Sequence, residues 1–208
     1  MKVKICGLTR LEEMDFINEA KPDFIGFVFA ASRRQVTFQE AARLRENVAE
    51  GIAVVGVFVR EPVENVVGLL QDGMIDVAQL HGGETEAYLA QLREKTTQPL
   101  IQAVRVENVS NLEAAQESLA DFLLFDHQGG GTGKSFDWAY LRHFQEQRRR
   151  EGKMWKPFFL AGGMDVEKVD LAREFQPFAI DLSSGVETDG RKDRRKILEV
   201  VRRVRHGK

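Results

Sequence analysis

The chain alternates short apolar runs with longer segments of helical periodicity, and it does so eight times. The apolar runs are rich in Val, Ile and Phe, which is typical of strands buried in a parallel sheet. They cover residues 3–6, 24–29, 53–58, 77–80, 100–104, 122–126, 158–160 and 179–182. Amphipathic patterns predict helices between the runs and after the last one, including 39–48, 63–71, 85–95, 112–119, 138–149, 166–175 and 194–205.

Eight strand-helix units predict a closed (β/α)8 barrel of the α/β class, the TIM-barrel fold. Such barrels usually need about 250 residues, so a chain of 208 residues must connect its elements by short loops. An open, doubly wound sheet is the alternative fold, because it also alternates strands and helices. We expect residues 1–208 to form one domain, since this length with 43% hydrophobic residues suits a single core.

Charge and cysteine content narrow the possible partners. The chain has 30 basic and 32 acidic residues, a balance that creates no global field for nucleic acid or an anionic membrane. It has no signal-peptide pattern after Met1 and no apolar run near the ~20 residues of a membrane span. The single cysteine cannot form an intramolecular disulfide. We therefore expect a cytoplasmic protein, monomeric or homodimeric, that binds a small molecule.

Two reactive side chains end strands that lie far apart in the sequence. Cys6 ends the first strand and Asp126 the sixth, and strand ends of a barrel share one mouth, where such folds carry out their chemistry. A thiolate base needs its pKa lowered from ~8.5 by nearby positive charge, which Arg34 is placed to supply. A carboxylic acid needs its pKa raised from ~3.9 by burial or an anion. The alternatives are a buried apolar role for Cys6 and a loop-capping role for Asp126.

The glycine-rich segment at 129–135 does not match a nucleotide-binding motif. A Walker loop would require glycine at the position of Gln128, and a dinucleotide fingerprint would require it at Lys134. What remains is a loop after the sixth strand. It is either a turn that tolerates positive φ or a segment that closes over a ligand.

Small residues follow the last two strands. Gly162 and Gly163 come after the seventh strand, and Ser183, Ser184 and Gly185 come after the eighth. In barrels the loops at these two places commonly bind a phosphate through backbone amides. The sequence therefore predicts a phosphate site here, with an N-cap role for Ser183 as an alternative or additional function.

The sequence lacks the residue patterns typical of metal sites and of serine hydrolases. The histidines fall at no ligand spacing, only one cysteine is present, and no G-x-S-x-G elbow occurs. We expect no metal and no cofactor. The basic residues at 148–150 and 202–208 fit helix ends better than a nucleic-acid site.

The chain resembles the phosphoribosylanthranilate isomerases over nearly its whole length. The matching stretches are KICGLT at 4–9, GFVF at 26–29, SRR at 32–34, GVFV at 56–59, QLHG at 79–82, FD at 125–126, GGTGKSFDW at 130–138, LAGG at 160–163 and DLSSGVE at 181–187. The resemblance implies a (β/α)8 barrel that catalyses a cofactor-free Amadori rearrangement in tryptophan biosynthesis.

The resemblance also implies roles for individual residues. Asp126 would be the general acid that opens the sugar ring, and Cys6 the general base that takes the proton from C2 of the ribose. Arg34 would bind the anthranilate carboxylate, and the order of residues 32–34 favours it over Arg33. Asp181 would contact the anthranilate amino group. The substrate phosphate would lie on the loops after the last two strands.

Gln79 and His81 end the fourth strand and face the same mouth. His81 either orients substrate or satisfies a loop hydrogen bond. Two other functions are possible for such a chain. One is the related isomerase of histidine biosynthesis, which relies on a carboxylate where this chain has Cys6. The other is a non-catalytic barrel that binds a phosphosugar and needs neither Cys6 nor Asp126.

Overall fold

The computed structural model describes residues 1–126 and 137–207. Its eight barrel strands are β1 (Lys2–Cys6), β2 (Phe24–Val28), β3 (Ala53–Phe58), β4 (Val77–Leu80), β5 (Leu100–Arg105), β6 (Phe122–Asp126), β7 (Phe158–Leu160) and β8 (Ala179–Leu182). The helices are α1 (Leu11–Ala20), α2 (Phe38–Arg45), α3 (Val63–Gln71), α4 (Glu86–Lys95), α5 (Val109–Ala115), α6 (Ala139–Arg150), α7 (Val169–Arg173) and α8 (Arg194–His206). A 3₁₀ turn (Ser184–Val186) and a short hairpin, β9 (Glu187–Thr188) and β10 (Arg191–Lys192), separate β8 from α8.

The eight strands form a closed parallel barrel in sequence order. Closure occurs where β1 pairs with β8 as well as with β2, with Lys4 opposite Asp181 on one side and opposite Phe24 on the other. The predicted (β/α)8 fold is confirmed, and the open-sheet alternative is excluded because it would leave two free edges. That residues 1–208 form one domain stays a prediction.

The core has two parts. An outer layer packs the helices on the barrel, and a smaller inner cluster is formed by Val55, Val77, Ile101, Leu124, Phe159, Ala161 and Ala179. Because side chains alternate along a strand, residues two positions after an inner-cluster member also face the lumen. This rule places Gln79, Asp126 and Asp181 inside the barrel, near the carboxyl ends of their strands.

Aromatic rings fill the other end of the lumen. The ring centroids of Phe122 and Phe178 lie 4.7 Å apart, and those of Phe24 and Phe159 lie 5.4 Å apart. The ammonium group of Lys2 lies 5.0 Å from the ring centroid of Phe178, a favourable cation–π distance. These rings therefore separate the polar side chains of the lumen from the amino ends of the strands.

The predicted strand bounds agree with the structure to within one residue, but three helices differ more. The second was predicted at 39–48 and ends already at Arg45. The fifth helix was predicted at 112–119 and lies at Val109–Ala115, because the side chain of Asn108 accepts a hydrogen bond from the amide of Asn111 and caps an earlier start. The seventh was predicted at 166–175, and only Val169–Arg173 is α-helical. The hairpin was not predicted. Among the described residues, no helix combines the length and apolar character required to cross a membrane.

Candidate active site

Cys6 lies at the carboxyl end of β1, directly opposite Gly26 of β2. A Cβ atom at position 26 would come within 2.6 Å of the Cys6 sulfur, so the glycine provides the space that the thiol occupies. The residue is only 8% exposed. Its sulfur therefore lies inside the mouth of the barrel.

The charges around Cys6 differ from those expected from the sequence. Burial raises the pKa of the Cys6 thiol, and the positive charges of Lys4 and Lys192 oppose that rise without cancelling it. Arg34 was expected to lower the pKa of this thiol, and that expectation is wrong. The guanidinium of Arg34 is engaged by Glu187, and burial has the larger effect on the thiol.

Lys4 and Asp181 form an ion pair within the barrel. The Lys4 ammonium donates to Oδ2 of Asp181 at 2.8 Å, and the lysine side chain is completely buried. Burial acts to lower the pKa of Lys4, but Asp181 and Cys6 outweigh it, so the pKa lies above its ordinary value. Within the described part of the chain, the buried Oδ1 of Asp181 has no hydrogen-bond partner. This oxygen is available to a ligand.

Asp126, Gln79 and His81 form a second polar group, on β6 and at the end of β4. His81 Nε2 lies 3.3 Å from Oδ2 of Asp126, and His81 Nδ1 lies 2.8 Å from the amide nitrogen of Gln79. With the amide in this orientation, Gln79 donates to Nδ1, which places the proton of a neutral imidazole on Nε2, facing Asp126. The ring thus bridges two predicted site residues. The contacts with Asp126 and Gln79 together hold the His81 ring at the mouth.

Arg34 reaches the mouth by passing over the end of β1. Gly7 has φ of +80°, and a Cβ atom there would lie 2.4 Å from Cδ of Arg34. The side chain of Arg34 is 12% exposed and that of Arg33 is 53% exposed. Arg34 is therefore the inner of the two arginines, as the order of residues suggested.

Glu187 is the anion that holds these arginines. Its carboxylate accepts from Nε and Nη2 of Arg34 at 2.7 and 3.1 Å, and from Arg33 at 2.7 Å. The buried ammonium of Lys192 donates to the same carboxylate at 2.9 Å. Burial alone would raise the pKa of Glu187, but the hydrogen bonds and charges of Arg34 and Lys192 lower it to about 2. Glu187 is therefore ionised at neutral pH.

The two small-residue loops meet at the mouth. A Cβ atom at Gly185 would lie 1.9 Å from the carbonyl oxygen of Met164, so the 3₁₀ turn packs directly on the loop after β7. Gly162 and Gly163 in that loop have φ of +80° and +65°, which favours glycine. The two loops that the sequence assigns to a phosphate site are therefore in contact, and phosphate binding there stays a prediction.

Ser183 links the loop after β8 to β1. Its hydroxyl donates to the carbonyl oxygen of Cys6 at 3.0 Å and makes no cap to the 3₁₀ turn that follows it. The N-cap alternative is therefore wrong. Lys192 donates to the carbonyl oxygen of Ser183 at 2.9 Å, so the hairpin, β8 and β1 are tied together around Cys6.

Sequence reasoning missed three residues of this site: Lys4, Glu187 and Lys192. Lys4 carried a detectable signal, since it lies two residues before Cys6 on the same strand and must face the same side. Glu187 ends the matching stretch at 181–187, but nothing in that stretch indicated its arginine partners. Lys192 carried no signal, because only the hairpin brings it to the mouth. The glycine-rich segment at 129–135 and His127 lie outside the described residues. In residues 1–126 and 137–207, no three His, Cys, Asp or Glu side chains are grouped as metal ligands.

The fold and this group of ionisable side chains define a (β/α)8-barrel enzyme, since active sites of this fold lie at the carboxyl ends of the strands. The family model described as N-(5'-phosphoribosyl)anthranilate (PRA) isomerase matches residues 3–203. An N-(5'-phosphoribosyl)anthranilate isomerase of Endomicrobium trichonymphae is 44% identical, with 98% of each chain covered.

Solved structures agree. The phosphoribosyl anthranilate isomerase of Thermus thermophilus superposes with a TM-score of 0.85 at 30% identity, covering 99% of this chain and 98% of the other. A second isomerase, in complex with reduced 1-(o-carboxyphenylamino)-1-deoxyribulose 5-phosphate, gives 0.81 at 30% identity, with the same coverage. The chain belongs to the N-(5'-phosphoribosyl)anthranilate isomerase family. The family and enzyme class inferred from the sequence are thereby confirmed.

Proposed function

We propose that this protein converts N-(5'-phosphoribosyl)anthranilate into 1-(2-carboxyphenylamino)-1-deoxyribulose 5-phosphate, a step of tryptophan biosynthesis, with Asp126 as general acid and Cys6 as general base. The observation that carries the proposal is the presence of a thiol and a carboxyl group on the lumen side of β1 and β6, at one barrel mouth. The family relationship supports the same reaction.

The first step opens the sugar ring. Protonated Asp126 gives its proton to the ring oxygen as the bond from that oxygen to C1 breaks. The lone pair of the anthranilate nitrogen forms the C1–N double bond, which leaves a protonated Schiff base and the Asp126 carboxylate. His81 lies 3.3 Å from Asp126, so it can hold that carboxylate through its Nε2 proton.

The second step moves hydrogen from C2. The Cys6 thiolate is the minor form at neutral pH, because burial raises the pKa of the thiol. It takes the C2 proton, and the electron pair of that bond forms the C1–C2 double bond while the nitrogen recovers its lone pair. The resulting enolamine tautomerises when C1 gains a proton from solvent and the C2 hydroxyl loses one to solvent, which gives the ketone. Proton exchange with solvent then returns Cys6 to the thiolate and Asp126 to the acid. Substrate and product have the same composition, so the reaction needs no oxidant or co-reactant.

The remaining predicted site residues bind the substrate in this proposal. The guanidinium of Arg34 faces the anthranilate carboxylate. This carboxylate either displaces Glu187 from the guanidinium or binds it together with Glu187. The free Oδ1 of Asp181 accepts from the anthranilate amino group, and Gln79 positions the substrate through His81.

The phosphate lies on the two small-residue loops. Backbone amides of Gly162, Gly163, Ser183, Ser184 and Gly185 donate to it, since the turn and the loop after β7 are in contact. A dianionic group gains from several convergent amide dipoles. The same contact explains why two loops distant in sequence form one subsite.

The test is a fluorescence assay that follows loss of phosphoribosylanthranilate with purified protein and no added metal or nucleotide. General acid and base effects are worth about 10²–10⁴-fold each, so Cys6→Ala and Asp126→Asn should each lower kcat by at least about 10²-fold. Both variants should still bind reduced 1-(o-carboxyphenylamino)-1-deoxyribulose 5-phosphate.

Asp72→Asn serves as the control, because Asp72 is an exposed carboxylate that ends α3. It should leave kcat unchanged. Folded wild-type protein without turnover would refute the proposed function. Full activity in either site variant would refute the role of that residue in catalysis. Wild-type protein that binds the product analogue without turnover would favour a phosphosugar-binding barrel.

A further inference from the structure

Lys4 is a buried charge that the proposed reaction does not use. Its side chain has no solvent exposure, and its ammonium group pairs with Asp181 at 2.8 Å. A buried ion pair is often no more stabilising than well-packed apolar residues of similar size. The neighbouring position on β2 is the apolar Phe24, so packing at this level of the barrel does not require an ammonium group.

The side chain of Lys4 faces the same region of the barrel as the Cys6 thiol. Lys4 and Cys6 lie two residues apart on β1, so their side chains face the same side of the strand. Three other charged groups also face this region: Asp181 from β8, Lys192 from β10 and Arg34 from the loop after β2. Lys4 is the most deeply buried of the three cations, with 0% exposure of its side chain against 1% for Lys192 and 12% for Arg34.

We propose that Lys4 is a positioning residue for proton transfer at Cys6: its ammonium group fixes the carboxylate of Asp181 and supplies the positive charge beside which the thiolate forms. Burial opposes ionisation of the thiol, and Lys4 is the largest of the charges that favour it. Asp181 acts in the opposite direction on the thiol and is neutralised by the same ammonium group. The role in catalysis rests on the proposed function, but ionisation of the thiol can be measured without substrate.

The experiment titrates the only cysteine of the chain. Ultraviolet absorbance of the thiolate is followed against pH, and the curve of Cys6→Ala is subtracted to remove the tyrosine signal. A neighbouring opposite charge shifts a pKa by about one to three units. Lys4→Met should therefore lower the thiolate fraction at a given pH by about tenfold or more. The acidic limb of kcat/KM should move to higher pH together with the titration.

Asp181→Asn should shift the thiol titration in the opposite direction. Removing this anion should increase the thiolate fraction at a given pH, whereas a general packing defect would move both variants in the same direction. The double variant Lys4→Met/Asp181→Asn leaves no lone buried carboxylate, so it keeps the test available if Lys4→Met does not fold. Its thiolate fraction should still be below that of the wild type, because Lys4 acts on the thiol more strongly than Asp181 does.

Lys156→Met is the matched control. The ammonium group of Lys156 donates to the carbonyl oxygens of Ser118 and Ala120 at 2.7 and 2.9 Å, before β7 and away from the mouth. It should not change the thiol titration. An unchanged titration in folded Lys4→Met, or less thiolate in Asp181→Asn, would overturn the inference. If the titration shifts as expected in a protein without turnover, the proposed function fails and the electrostatic role of Lys4 stands.

Discussion

Replacing Glu187 by glutamine tests the charge cluster that orders the mouth of the barrel. The substitution keeps the size of the side chain and removes the negative charge that Arg33, Arg34 and Lys192 share. The ammonium group of Lys192 and the guanidinium of Arg34 then lack a counterion in a region of low exposure. Loss of a fixed orientation for Arg34 should also raise KM.

The magnitude follows from the pKa of Glu187. A fall from 4.5 to about 2, at about 1.36 kcal/mol per unit, gives an upper value of about 3 kcal/mol at pH 7. The outer part of the cluster is solvated at Arg33, so screening reduces the expected loss to about 1–2 kcal/mol. The pKa of Glu187 is lower in the folded state than in the unfolded state. This stabilisation is therefore complete when the pH is above the unfolded-state pKa of 4.5, and it is lost as the pH falls toward about 2.

The assay is urea unfolding of wild type and Glu187→Gln at neutral pH and at about pH 3, where under half of the difference should remain. Glu12→Gln is the control, since Glu12 pairs with Arg10 at the exposed surface and such pairs contribute little. A difference that stays constant down to pH 3 would show that the loss is one of packing. No difference at neutral pH would refute the reasoning altogether.

Two further predictions concern the loops proposed to bind the phosphate and the proposed base, Cys6. Gly185→Ala should raise KM and destabilise the fold, because its Cβ would overlap the Met164 carbonyl oxygen. Gly68→Ala, in α3 with no atom within 4 Å of its Cβ, should stabilise the protein by about 1 kcal/mol, as chemical denaturation would show. If Gly185→Ala is as stable and active as wild type, the two loops are not in the contact described. The second prediction concerns the rise of kcat/KM with pH. The midpoint of this acidic limb should lie above the ordinary thiol pKa of about 8.5, because burial raises the pKa of Cys6. A limb centred well below that value would contradict it.

The strands could be predicted because the barrel buries them on both faces. A run such as 53–58 is apolar throughout, and it forms β3 at Ala53–Phe58, so its burial is visible without any partner. Short helices on the outside were harder to place. The start of α5 depends on a single cap at Asn108, which outweighs the apolar spacing that suggested a later helix.

Cys6, Asp126 and the small residues after β7 and β8 could be found from the sequence, since each directly follows or ends a strand and strand ends of a barrel meet at one mouth. The sequence by itself therefore determined the barrel and the kinds of side chain at its opening. Only the tertiary structure decided their electrostatic surroundings. Burial sets the thiol pKa, closure of β1 on β8 pairs Lys4 with Asp181, and the hairpin carries Glu187 and Lys192 to Arg34. These effects depend on distances between residues remote in the chain, which no local pattern contains.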